Sequence, residues 1–172
     1  RDAVKVSLQS AESLRAFRVG HLGTVDDGGV HLKLRPHFRR TFDVDRICPR
    51  VQLMKLGLGM DDLLVRACIG AYKADRIDGL VIEALSAGNA NAPNYHAIKE
   101  ACAAGLPVVI ASRILDGTVQ DNYGYQGAFR TLREVGAIGA VRMGGTKARI
   151  LLMVALAHTK EREELREIFE NS

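Results

Sequence analysis

An α/β fold, with a small parallel sheet, flanking helices and a hairpin-containing arm in front, is predicted by three observations. From Arg50 onward, short apolar runs alternate with stretches of helical period. Each apolar run stops at a turn rich in Gly, Asn or Ser. The 172 residues are 47% apolar and only 5% aromatic, without Trp, which suits one aliphatic core of ordinary domain size. Strands separated by helices of this length imply right-handed crossovers, and hence parallel pairing.

The elements follow in order. Residues 1–49 read as an irregular linker arm, and residues 50–172 as the α/β domain. In the arm, Leu22–Val25 and Val30–Leu34 flank Asp26-Asp27-Gly28-Gly29, a hairpin signal. Pro36 and the basic run to Arg40 form a loop, and Pro49 closes the arm. Val51–Leu58 is the first strand, and Asp61 or Asp62 caps a helix to Lys73. Gly79–Ala84 is the second strand, followed by a helix from Pro93 to Ala104. Leu106–Ala111 is the third strand. A loop of Gly, Asp, Asn and Tyr leads to a helix near Gly127–Val135. Ile138–Arg142 makes a weak fourth strand, Thr146–His158 an apolar helix, and Lys160–Glu170 a polar tail helix.

Charge is unevenly placed. Residues 1–50 carry ten Lys or Arg against six Asp or Glu, while residues 51–172 carry fourteen of each, so the net +4 sits in the first part. Lys33, Arg35, Arg39, Arg40, Arg46 and Arg50 supply it. Such an arm suits a phosphate, an acidic protein surface or solvent. Without interleaved aromatics or a recognition-helix pattern, the sequence argues against nucleic acid. Cys48, Cys68 and Cys102 are far apart and odd in number, which argues against a disulfide framework and points to a reducing, cytoplasmic compartment. Cys68 and Cys102 read as small buried hydrophobes. The five histidines lack metal-ligand spacing, no apolar run reaches membrane-spanning length, and the amino terminus is no signal peptide. Without an initiator Met, the chain is expected to begin partway through a longer protein.

Candidate chemistry gathers where strands end, because side chains and free backbone N–H groups converge at the carboxyl edge of a parallel sheet. Leu56–Gly59, Ala87–Asn91 and Ser112–Gly117 are expected to share that edge. Gly88 allows close backbone approach, and the amides of Asn89 and Asn91 can both donate and accept without adding charge. A tight turn with a helix cap explains the same residues more simply. Tyr123 and Tyr125, in a Gly-containing loop, fit either a lid or an anchor. Other candidates carry less. Asp61-Asp62 precede a helix and fit capping, and Asp26-Asp27 fit a turn. Ser112 lacks a nucleophile elbow, and Gly144-Gly145-Thr146-Lys147 lacks the full phosphate-loop spacing. No self-contained nucleophile, base and oxyanion set is present, so the chain reads as half of a site.

Several segments, in order and spacing, resemble the carboxyl-terminal domain of bacterial-type L-asparaginases, the threonine amidohydrolase family. They are Arg1-Asp2-Ala3-Val4-Lys5, Gly23 with Asp27-Gly28, Phe42-Asp43-Val44 with Pro49-Arg50-Val51, and Asp78–Ile82 through Gly88–Asn91. Gly105–Val109 with Ser112-Arg113, and Lys147–Met153, complete the set. The resemblance implies a flavodoxin-like parallel sheet. It also implies a larger amino-terminal domain that carries the nucleophilic threonine in a Thr-Gly-Gly-Thr-Ile turn. In such a dimer or tetramer, this domain would complete the neighbouring subunit's site. The implied reaction converts L-asparagine and water to L-aspartate and ammonia, with no cofactor. Asn91 matches the second Asn of Gly-Asn-Gly-Asn, which helps hold the substrate's α-amino end. Tyr123 falls where many members have Glu, so a charged partner for the ammonium is lost. Gly144-Gly145-Thr146 replaces the usual Asn-Pro-Gln. Thr24, Thr41, Thr118, Thr131, Thr146 and Thr159 match neither catalytic segment, so no catalytic residue is expected in this chain. Two other functions fit the same residues. One is an asparaginase-like subunit of the transfer-RNA-dependent glutaminyl amidotransferase; the other is a non-catalytic small-molecule sensor or assembly domain.

Overall fold

The computed structural model describes residues 3–18, 20–35 and 40–171. Arg1, Asp2, Pro36 and Arg39, singled out above, lie outside them. The chain divides into two compact units, Arg1–Thr41 and Phe42–Ser172.

The first unit holds two antiparallel hairpins. β3 (Gly23–Asp26) and β4 (Gly29–Leu32) pair with Val25 opposite Val30, around the expected turn. Asp26 Oδ1 accepts from Gly28 N at 2.9 Å, the local bond that makes Asp a good turn former. The other hairpin, β1 (Ala3–Lys5) with β2 (Leu14–Ala16), corrects the reading of this region as irregular. Three-residue strands carry too little alternation to be recognised from sequence.

The second unit is the expected parallel sheet. β5 (Val51–Lys55), β6 (Gly79–Ala84), β7 (Val108–Ser112) and β8 (Ile138–Gly139) lie side by side in chain order, all parallel. Three helices fill the crossovers: α1 (Leu63–Lys73), α2 (Ala92–Ala103) and α3 (Phe129–Glu134). Right-handed crossovers that all step in one direction put their helices on one face. That face buries Leu80, Ile82 and Ile110 of the sheet with Val65, Ile98 and Leu132 of the helices. α4 (Gly145–His158) and α5 (Arg162–Glu170) cover the opposite face. There Val51, Val81 and Val109 meet Leu152, Leu156, Leu165 and Phe169. The central strands β6 and β7 therefore read as unbroken apolar runs, because both faces are covered.

Boundaries moved for local reasons. β5 ends at Lys55, short of Leu58, where Gly57-Leu58-Gly59 turns with Gly59 at positive φ. β7 begins after Pro107, and β8 keeps only two residues of the predicted five. Asp62 is the residue before α1, but its side chain makes no cap; it pairs with Arg66 at 2.7 Å. Asp61 Oδ1 accepts from Leu63 N instead, at 3.1 Å. Cys102 is buried, and burial pushes its thiol up to about 11; Cys68 is half-buried and also raised by burial. No described helix is long and apolar enough to cross a membrane.

Arg50 closes the sheet's amino-terminal edge. Its guanidinium grips Asp78 with two bonds, of 2.8 and 3.0 Å, and reaches Asp75 at 3.0 Å. This fork holds the Asp78 carboxyl below the usual carboxylate range. A carboxylate with a lowered folded value contributes stability above its unfolded value of about 3.9, and loses it as pH falls through the folded value. Thermal unfolding from pH 7 to pH 2 should therefore show a loss of Tm beginning near pH 4. In Arg50→Met, that part of the loss should shrink while Tm at pH 7 is lowered.

Candidate functional site

The carboxyl ends of β5, β6 and β7 share one edge, as parallel pairing requires. Three crosslinks hold their loops together. Arg113 Nη1 donates to Leu56 O at 3.2 Å, joining the end of β7 to that of β5. Ser112 Oγ donates to Ser86 O at 2.7 Å and accepts from Ile114 N at 3.1 Å. That hydroxyl is buried and committed to the fold. Gln120 N donates to Ala87 O at 3.0 Å, which brings the tyrosine loop over the β6 turn.

The turn after β6 is closed by Leu85 and Asn89, whose main chains exchange hydrogen bonds of 2.9 and 2.8 Å. Gly88 stands there at φ +100, and a Cβ would press on Val119 Cγ1 at 2.8 Å. Close approach by the chain's own Val119, itself buried, thus accounts for the glycine. Asn89 is buried, and its Oδ1 accepts from Phe129 N at 3.3 Å, supplying the cap that Ala128 cannot give α3.

Asn91 is the N-cap of α2. Its Oδ1 accepts from Asn94 N at 3.2 Å and from Asn94 Nδ2 at 2.8 Å, and its Nδ2 donates to Met60 O at 2.7 Å. The cap and the tie to the β5–α1 loop thus use most of this amide. A carbonyl oxygen has two lone pairs and an amide nitrogen two hydrogens. Both acceptor positions of Asn91 are filled, and one Nδ2 hydrogen has no acceptor among the described residues.

Asn94, which sequence reasoning passed over, is the buried centre of this cluster, at 1% exposure. Its Nδ2 lies within 3.2 Å of three oxygens: Met60 O, Asp61 O and Asn91 Oδ1. Its Oδ1 meets no donor among the described residues. Leaving a buried acceptor unmatched costs about 1–3 kcal/mol, so the three oxygens dictate the amide's orientation against that cost. The available signal was the spacing Asn91-x-x-Asn94 around Pro93, a cap residue followed by a polar residue at the third helical position.

Tyr123 stands half-exposed, with its ring 5.7 Å from that of Tyr125. The loop carrying both is fastened at Asp121, which binds Arg130 at 2.6 Å and Arg133 at 3.8 Å. The edge therefore brings Gly88, Asn89 and Asn91 together, with Tyr123 on the adjoining loop. Among the described residues, no three of His, Cys, Asp and Glu gather as a metal set. This edge can orient a small polar molecule through amide groups; among the described residues it has no activated nucleophile.

Comparison with known proteins supplies the context. The glutaminase/asparaginase C-terminal domain matches residues 50–169. A probable L-asparaginase of Deinococcus radiodurans is 34% identical over 98% of this chain and 51% of its own length. An L-asparaginase of Bacillus licheniformis is 29% identical over 91% of this chain and 48% of its own. A glutamyl-tRNA(Gln) amidotransferase component of Halobacterium salinarum is 32% identical over 67% of this chain and 25% of its own. The chain spans about half the length of the asparaginases it matches. Fold, motif order and family match agree: this chain belongs to the glutaminase/asparaginase family and carries its C-terminal domain.

Proposed function

We propose that this chain is the carboxyl-terminal part of an amidohydrolase that converts L-asparagine and water to L-aspartate and ammonia. Residues 50–172 form its α/β domain, and residues 1–49 are the linker before it. The observation that carries this reading is a set of uncharged amides at the carboxyl edge of the sheet, in a chain of this family. The side-chain amide of substrate is cleaved at its C–N bond, with water adding to the carbonyl and ammonia leaving. The nucleophilic threonine belongs to an amino-terminal domain, since this sequence has no Thr-Gly-Gly-Thr-Ile turn. Gly88, Asn89, Asn91 and Tyr123 complete a neighbouring subunit's site within a homodimer or homotetramer. Asn91 stands at the substrate's α-amino end, as the family resemblance implies, and the Tyr123 phenol oxygen can accept from the α-ammonium. No cofactor enters this scheme. The three free thiols favour a reducing compartment, the cytoplasm.

Ammonia release from asparagine and glutamine tests the proposal, with the purified chain alone and mixed with a threonine-bearing amino-terminal domain of the family. No turnover alone and turnover on mixing are expected. Turnover by the chain alone, with mass spectrometry finding no second polypeptide, overturns the assignment of the nucleophile. Binding of asparagine or aspartate without turnover in either sample favours a sensor. The amidotransferase relative and the basic first fifty residues support a second reading, an asparaginase-like subunit acting on charged transfer RNA. Salt-sensitive binding to transfer RNA is its signature.

A further inference from the structure

We infer that Arg113 is the ionic anchor of the sheet's carboxyl edge, and that it takes a carboxylate from the neighbouring subunit. This rests on the reading of that edge as the surface that completes a neighbour's site. β6 lies between β5 and β7, so the Arg113 side chain, reaching from the end of β7 to Leu56 O, spans the end of β6. A guanidinium has five N–H donors in a planar fork. Here Nη1 donates to Leu56 O at 3.2 Å; among the described residues the other donors meet no acceptor, and no carboxylate pairs with the group. Arg66 and Arg130, in helices that start from this edge, each grip a carboxylate. The loops on either side are apolar. Leu58, after β5, is 82% exposed and Leu115, after β7, is 62% exposed. Ile114, Tyr123 and Tyr125 add to this rim. So wide an apolar rim exceeds what a free amino acid can cover and suits a protein surface. When such a surface covers the rim, water leaves the half-buried guanidinium, and its open N–H groups become costly unless the partner brings acceptors. A carboxylate fits, because its two oxygens match the fork and its charge offsets the cation.

The oligomer assembled from this chain and a threonine-bearing amino-terminal domain is followed by sedimentation to low concentration, where it parts into single chain–domain pairs. Arg113→Gln should raise the dissociation constant at least about tenfold, and Arg113→Lys, which keeps the charge without the fork, by less. Leu115→Ser, at an exposed position, should raise it about fivefold. Salt separates an ion pair from the neutral bond to Leu56 O. Going from about 0.05 to about 0.5 M salt should weaken the native oligomer about tenfold, and the Arg113→Gln oligomer by no more than about threefold. If Arg113→Gln lowers the Tm of the chain alone, Arg113→Lys, which can still reach Leu56 O, carries the comparison, and an oligomer as tight as the native one then overturns the inference. A dissociation constant for a folded Arg113→Gln within about twofold of native, or an equal response to salt, also overturns it and leaves the amidohydrolase reading intact. Saturable binding of succinate to this chain alone, lost in Arg113→Gln while the oligomer is unaffected, assigns the guanidinium to a free carboxylate and overturns the partner. If chain and domain form no oligomer, the reading of a completed neighbour's site fails and this inference falls with it.

Discussion

Phe169→Ala should destabilise the α/β unit by about 3–5 kcal/mol, the usual cost of emptying an aromatic core position. Phe169 is 1% exposed and among the largest fully buried side chains. It is the next-to-last residue of α5, beside Ile168 and four residues after Leu165, all three buried against α4 and the sheet. A nine-residue helix has little stability of its own in water, so α5 exists because this stripe is docked. Truncating the ring removes apolar contact and leaves a cavity that the surrounding core cluster closes only in part. The measurement is thermal unfolding, where Tm should fall by about 10 °C or more. Hydrogen exchange should show α5 opening before β6 and β7 do. A loss under about 1 kcal/mol would mean that α5 is not part of the cooperative unit.

The same helix shows where the sequence was legible and where it was not. Strands β6 and β7 stood out because both are uninterrupted apolar runs ended by turn residues, the pattern of a strand covered on both faces. α5 was recognised as a helix but read as a polar tail. Most of its residues are charged, and the three that matter are spaced i, i+3, i+4 on one face. Average polarity hid what periodicity carried. The candidate site was legible in a similar, partial way. Gly88, Asn89 and Asn91 were found at a strand end from residue type alone. Their commitments, Asn89 to Phe129 and Asn91 to Met60 and Asn94, span 31 to 40 positions or lie in the next helical turn. No local pattern encodes the first two. Val119, the residue that makes Gly88 necessary, is likewise 31 positions away.

Gly127→Ala should lower stability by about 3 kcal/mol and, in the proposed amidohydrolase, impair the candidate site more than its size suggests. Gly127 stands at φ +96, a backbone region that an L side chain enters only with strain. Its Cβ would run into Ala90 O, a main-chain atom that no rotamer change can move aside. Ala90 N meanwhile donates to Gly127 O at 2.7 Å, so the two chains are clamped at van der Waals distance. Ala90 lies between Asn89 and Asn91, and Gly127 lies two residues before Phe129, whose N–H Asn89 caps. Relieving the clash requires the β6 turn and the start of α3 to part. That motion breaks the Ala90–Gly127 bond, draws Asn89 off its cap, and carries the loop of Tyr123 away from the edge. The variant should therefore lose about 9 °C of Tm. It should also raise KM for asparagine well below the temperature at which it unfolds. Loss of Tm with an unchanged KM would separate the clamp from the site and leave Gly127 a purely structural glycine. Loss of both ties the geometry of Asn89 and Asn91 to a contact made from backbone alone, which no other residue at position 127 can reproduce.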